Sequence, residues 1–154
     1  MRNSVAIRRA EHGDMAACAG ILNRWIDATA WMPRVHDHAD VERYFAETVF
    51  AERRVIVAER TADIAGFLAL SDDSFVTALF IDGPHRGAGI GTKLVERAKE
   101  LSPEELSLWT FEHNRPAQRF YEHQGFEAIR RTYGDNEENL PDILYRWRAR
   151  EMQA

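Results

Sequence analysis

Phe75-Val76-Thr77-Ala78-Leu79-Phe80-Ile81-Asp82-Gly83-Pro84-His85-Arg86-Gly87-Ala88-Gly89-Ile90-Gly91-Thr92-Lys93 is the stretch on which the fold turns. An apolar run ends at Ile81 and a short linker carries it into a glycine-rich turn. The turn opens at once into Leu94, Val95, Ala98 and Leu101, the three-and-four spacing of one helix face. Glycine allows a ligand to approach the main chain closely. The first N–H groups of a helix have no partner inside it and lie at the positive end of its dipole. A phosphate is the natural occupant of such a terminus, and Arg86 adds a fork of charged donors. The bland reading of the same glycines is a plain strand-to-helix connection.

The rest of the chain alternates around this unit. Val5 to Arg9 reads as a strand, and Asp14 is placed to cap a helix bearing Met15, Cys18, Ala19, Leu22, Trp25 and Ile26, which must end before Pro33. A second helix starts near Asp40 and carries Val41, Tyr44, Phe45, Thr48 and Val49. Strands follow at Arg54 to Glu59, Ile64 to Leu70 and Phe75 to Ile81, joined closely enough for antiparallel hairpins. After the glycine helix come a strand at Leu106 to Phe111, a helix opened by Pro116 and stopped by Gly125, and strands at Ala128 to Tyr133 and Ile143 to Trp147. The order β-α-α-β-β-β-α-β-α-β-β predicts an α/β (α+β) fold, a mixed, mostly antiparallel central sheet flanked by about four helices. Residues 1–154 read as a single domain, with no repeat or linker.

Bulk chemistry narrows the function classes. The net charge of −5 argues against general nucleic-acid binding, which calls for a basic stripe. No apolar run reaches the roughly 18 residues of a membrane span, and no signal-peptide core follows the N-terminus, so the expected location is cytoplasmic. The single cysteine, Cys18, sits on an apolar helix face and reads as a packed core thiol. His36-Asp37-His38 lacks further spaced ligands and reads as a solvated loop, so no metal is expected.

Known phosphate motifs fit badly. A P-loop requires Gly-Lys-Ser/Thr, whereas Gly91 is followed by Thr92-Lys93. The dinucleotide fingerprint has its third glycine elsewhere and belongs to a first βαβ unit. Arg86-Gly87-Ala88-Gly89-Ile90-Gly91 instead resembles the Gln/Arg-x-x-Gly-x-Gly/Ala loop of the GNAT superfamily of N-acetyltransferases. The later run Asn114-Arg115-Pro116-Ala117-Gln118-Arg119-Phe120-Tyr121-Glu122-His123-Gln124-Gly125-Phe126 resembles that family's second motif, Asn-x-x-Ala-x-x-Phe-Tyr-x-x-x-Gly-Phe.

The resemblance implies transfer of an acetyl group from acetyl-CoA to an amine by direct attack. It implies that the backbone of Leu79, Phe80 and Ile81 pairs with the pantetheine arm, with the Phe80 N–H facing the acetyl carbonyl. Arg86 to Thr92 would hold the diphosphate, and Asn114, Ala117, Phe120 and Tyr121 would complete the cofactor site. Tyr121 would protonate the leaving thiolate; the bland alternative is a core tyrosine. Asn114 is equally read as a helix cap. Many members carry an acidic base where this chain has Thr77, so Thr77 is read as lining the acceptor site and Glu112 as a substitute base; a surface carboxylate is the plainer reading of Glu112.

Trp25 and Trp31 lie where the family covers its acceptor; Trp31, beside Pro33, is the better candidate to wall it, and Trp25 is equally read as a core residue. The acidic run Asp135 to Glu138, with Asp142, either attracts a cationic acceptor or is a solvated hairpin loop. Tyr145 and Trp147 are candidates for a homodimer face. The expected acceptor is a small-molecule amine, as in phosphinothricin- or antibiotic-modifying members. The alternatives are a protein or peptide acetyltransferase and a non-catalytic acyl-CoA sensor.

Overall fold

The computed structural model describes residues 4–150. The strands are β1 (Val5–Arg9), β2 (Arg54–Arg60), β3 (Asp63–Leu70), β4 (Val76–Ile81), β5 (Glu105–Phe111), β6 (Glu127–Tyr133) and β7 (Pro141–Arg148). The helices are α1 (Met15–Ala28), α2 (His38–Tyr44), α3 (Ile90–Leu101) and α4 (Arg115–His123). α2 runs on through a π-helical turn, Phe45–Val49, to Phe50–Glu52.

The expected mixed α/β fold is present, but its sheet is divided. One sheet has the order β1-β2-β3-β4 and the other β5-β7-β6, both antiparallel. Among the described residues they meet at one parallel bridge, Phe75 to Ser107, where the Ser107 N–H donates to Ser74 O at 2.9 Å. Beyond that bridge β4 and β5 diverge, and one edge of β4 is left without a strand.

Two cores flank the first sheet. On one face Ile56, Leu68 and Leu70 pack with Leu94, Leu106 and Ile143; on the other Val55, Val57 and Phe67 pack with Met15, Ile21 and Phe45. β2 and β3 are therefore covered on both faces, which explains their nearly unbroken apolar runs. Full burial of each such side chain contributes roughly 1.5–3 kcal/mol.

Several local expectations change. Asp14 does not cap α1. Its carboxylate accepts from Arg8 at 2.8 Å and from the Glu11 N–H at 2.8 Å, holding the turn before the helix. Tyr44 is half exposed, not on the α2 core face. The π-helical turn shifts the register so that Phe45 and Val49 face inward. α1 does end before Pro33, at Ala28, where the extended backbone of Thr29 breaks it and the Thr29 hydroxyl donates to Trp25 O at 2.6 Å. Tyr145 is buried and donates to Glu122 Oε2 at 2.9 Å, while Trp147 lies against Gly125 under the Lys99 ammonium. Tyr145 therefore cannot form a face toward another chain.

Gly66 in β3 lets β4 approach. A Cβ there would stand 2.7 Å from Ile81 Cδ1 and 2.9 Å from the Phe80 carbonyl oxygen. Gly66→Ala is expected to cost about 1–3 kcal/mol through overpacking, read as a lower urea midpoint.

Burial pushes the Cys18 thiol from 9.0 up to about 12, with the Asp14 charge adding to the effect. Folding thus favours the protonated thiol. That stability is complete below about pH 9 and is lost as pH rises toward the folded value, by up to about 1.4 kcal/mol per pH unit. Thermal unfolding followed from pH 7 to 11 should show a falling Tm above about pH 9, with a shallower fall in Cys18→Ala.

Candidate active site

A cleft of about 1180 Å³ opens between β4 and β5. Its geometry follows from the register of β4. The Asp82 N–H donates to Ala65 O at 2.8 Å, and Phe80 is paired with Phe67 two residues earlier. Hydrogen-bonded pairs alternate along an antiparallel ladder, so the Phe80 amide also points into the sheet. The Leu79 and Ile81 backbone groups point the other way, into the cleft. This corrects the expectation for the Phe80 N–H: its ladder position occupies it, and Leu79 and Ile81 supply the free donors. The Phe80 side chain still serves the site, packing against Trp25 with ring centroids 5.2 Å apart.

At one end of the cleft lies the glycine turn. Gly87 and Gly89 have φ of +80° and +75°, and a Cβ on either would meet nothing within 4 Å. Left-handed torsions turn successive amides toward one side, and open space there admits a ligand. Gly89 is the N-cap of α3, and the helix starts at Ile90 without a side-chain cap. Ile90 is buried as an anchor, Ala88 is exposed, and Gly91 lies against the Phe120 ring. The Thr92 hydroxyl accepts from Gln124 Nε2 at 3.0 Å, tying α3 to α4. Arg86 is exposed and its Nε donates to Ile81 O at 3.4 Å. Nearby, Asp82 accepts from Arg24 at 3.1 and 3.0 Å, so a carboxylate beside an anion cradle is neutralised.

α4 crosses the cleft from the other side. Asn114 caps it, accepting from the Ala117 N–H at 3.2 Å, and both residues line the cleft with Phe120 and Tyr121. The Asn114 cap is thus realised. The Tyr121 ring is buried among Phe120, Phe126 and Tyr145, and burial alone raises its hydroxyl well above the usual tyrosine range. Such a hydroxyl stays protonated through the neutral and mildly alkaline range.

Glu112 stands apart. Its side chain is about half exposed, pairs with Arg131 at 3.6 Å and does not line the cleft. That geometry does not suit a base for this site. The carboxylates on the cleft wall are Asp40, Glu137 and Glu138. Asp142 is withdrawn from any acceptor role, since it is buried and accepts from Thr132 and from Asn136 Nδ2. Thr77 lines the cleft, its hydroxyl turned to Ala69 O at 3.4 Å. Trp25 also lines it, whereas Trp31 stands behind Trp25, edge-on at 5.7 Å. His36 pairs with Glu137, His38 with Asp27, and Asp37 caps α2, so the three do not converge. Among the described residues no group of His, Cys, Asp or Glu is arranged to hold a metal, and no helix is long and apolar enough to cross a membrane.

A free strand edge, an open glycine turn at a helix start and a buried tyrosine thus face one cleft. A family model described as "Acetyltransferase (GNAT) family" matches residues 15–126, and the chain belongs to that family. The peptidyl-lysine N-acetyltransferase YjaB of Escherichia coli is 34% identical over 140 residues, covering 86% of this chain and 88% of YjaB. YiaC of Escherichia coli, also a peptidyl-lysine N-acetyltransferase, is 26% identical over 144 residues, covering 92% and 95%. The solution structure of apo YjaB superposes with a TM-score of 0.76 at 29% identity, over 95% of this chain and 99% of that one. The yncA protein of Salmonella typhimurium, solved with acetyl-CoA, shares the fold at 20% identity with a TM-score of 0.74, over 98% and 97%.

The protein is an acetyl-CoA-dependent N-acetyltransferase. Its residues fit that co-substrate: the uncrowded left-handed glycines suit the diphosphate, and the unpaired edge of β4 suits the amide-bearing pantetheine arm.

Proposed function

We propose that this chain acts as a single cytoplasmic domain that acetylates the ε-amine of a peptidyl lysine. The observation carrying this reading is the polarity of the cleft. The glycine turn with its uncapped helix start borders the cleft, and Asp40 of α2 and Glu137 and Glu138 of the β6–β7 loop line its wall. A long alkyl ammonium fits such a wall, its chain against Trp25 and Met32 and its charge near Glu138, since Asp40 already pairs with Arg43 at 2.8 Å and Glu137 with His36 at 3.2 Å. The two relatives above act on peptidyl lysine.

A lysine amine has a pKa of about 10.4, so about one molecule in 10³ is neutral at pH 7, and deprotonation costs about 4 kcal/mol. The wall carboxylates favour the charged amine and so help to hold it, and its proton leaves to water at the cleft mouth before attack. The neutral amine attacks the thioester carbonyl, and the Leu79 N–H donates to the carbonyl oxygen as negative charge develops there. The thiolate departs as Tyr121 gives it a proton, and the proton shed by the attacking nitrogen returns to Tyr121 through water.

The aromatic side of the wall favours a second reading, a compact small-molecule amine enclosed by Trp25 and Phe80. Thiol release from acetyl-CoA separates the two. The protein is assayed with blocked lysine peptides, spermidine and phosphinothricin. The lysine reading expects kcat/KM for the peptides at least about tenfold above the others, or about 1.4 kcal/mol in the transition state. Preference for a small amine would replace it with the second reading.

A further inference from the structure

We propose that Arg34 is a positioning residue for acetyl transfer, holding the loop between α1 and α2 so that Trp31 ties α1 to the end of β5 beside the reacting groups. Only the kinetic arm of its test rests on the lysine reading above.

The Arg34 guanidinium makes four hydrogen bonds. Nη1 donates to Asn23 Oδ1 at 2.9 Å and to His36 O at 3.0 Å; Nη2 donates to Asn23 O at 3.1 Å and to Asp27 Oδ1 at 2.9 Å. Asn23 is itself buried within α1, at 4% exposure, and its Nδ2 reaches His38 O at 3.4 Å. The second Asp27 oxygen meets His38 Nε2 at 2.8 Å. Arg34 thus pins the loop to α1, and its partners Asn23 and Asp27 reach His38 at the start of α2. A planar fork with fixed donor directions can serve these acceptors together, whereas a lysine ammonium cannot.

The loop so held carries two kinds of residue. Met32, Val35 and His36 line the cleft. Trp31 packs edge-on to Trp25 at 5.7 Å and to Phe111 at 5.9 Å, and stacks on His113 at 5.7 Å. Trp25 in turn meets Phe80 on β4. A chain of rings therefore runs from β4 through α1 and the loop to β5, bridging the two strands where the sheet itself does not. Aromatic pairs of this kind contribute through geometry as well as area. A loop that drifted would displace Trp31 and, with it, the wall against which the amine is aligned.

The test uses the full chain labelled with 5-fluorotryptophan, which gives one 19F signal for each of its four tryptophans. In Arg34→Gln and Arg34→Lys the Trp31 signal is expected to shift or broaden, while Trp109 and Trp147 keep theirs. Free guanidinium added to Arg34→Ala should return the Trp31 signal toward its original position. With a blocked lysine peptide as acceptor, KM for the peptide should rise about tenfold and KM for acetyl-CoA stay within about twofold. An unmoved Trp31 signal in Arg34→Gln overturns the proposal. So does a parallel shift of all four signals and both KM values, which would mark a merely structural residue. If the unmodified protein acetylates no lysine peptide, the lysine reading fails while the 19F signals still decide the role of Arg34.

Discussion

Tyr121→Phe is expected to lower kcat by about 10²–10⁴-fold, the range for loss of a general acid. The KM for acetyl-CoA and the Tm should remain close to those of the parent. The ring contacts of Tyr121 with Phe120, Phe126 and Tyr145, at 5.3, 5.6 and 6.3 Å, do not involve its hydroxyl, so phenylalanine keeps them. What is lost is a proton held on oxygen in a dry place. Burial raises the hydroxyl's pKa above the usual tyrosine range, which keeps its proton on through neutral pH. A neighbouring substitution supplies the contrast. Tyr145→Phe removes a hydrogen bond to Glu122 and should cost about 1 kcal/mol of stability without a comparable loss of rate. Stopped-flow thiol release on both variants, with thermal unfolding alongside, separates chemistry from packing. Full activity in Tyr121→Phe would return Tyr121 to the core.

Gly89→Val should weaken coenzyme A binding about 10²-fold, equivalent to about 2.7 kcal/mol, with the fold retained. Two effects act together. A β-branched residue at φ +75° costs about 1–2 kcal/mol of backbone strain. Its side chain then occupies the open space that surrounds Gly89, which is where a diphosphate would lie against the α3 amides. Apart from its chain neighbours, a Cβ at that position meets no atom within 4 Å, and strain at a single helix cap is too small to unfold the domain. Isothermal titration with coenzyme A reads the effect directly. An unchanged Kd would mean that the diphosphate lies elsewhere.

The two expectations differ in how much of their basis is visible before folding. The glycine cradle is local. A positive φ, a helix start and a neighbouring arginine depend on residues a few positions apart, so Arg86 to Thr92 could be read directly. The Asn114 cap, the Pro116 start and the Gly125 stop are local in the same way, as are the apolar periods that mark the helices and strands. These signals, with the second motif, were enough to determine the element order and the family.

Long-range features had no such signal. That Leu79 and not Phe80 offers its amide to the cleft follows from the pairing of Asp82 with Ala65, a register set by strands meeting across the sheet. Glu112 and Glu138 are both acidic loop residues in the sequence. Arg131 draws the first away, while the fold of the β6–β7 loop brings the second to the wall. Gly66 looks like an ordinary strand glycine until Ile81 and the Phe80 carbonyl close on it. Arg34 and Asn23 carry no motif at all, because their acceptors are assembled only when α1, its following loop and α2 fold together. The chain by itself determines torsion and period, which depend on near neighbours. Which edge is free, which charge is paired and which ring bridges the cleft depend on contacts between residues far apart in sequence, and these exist only in the packed structure.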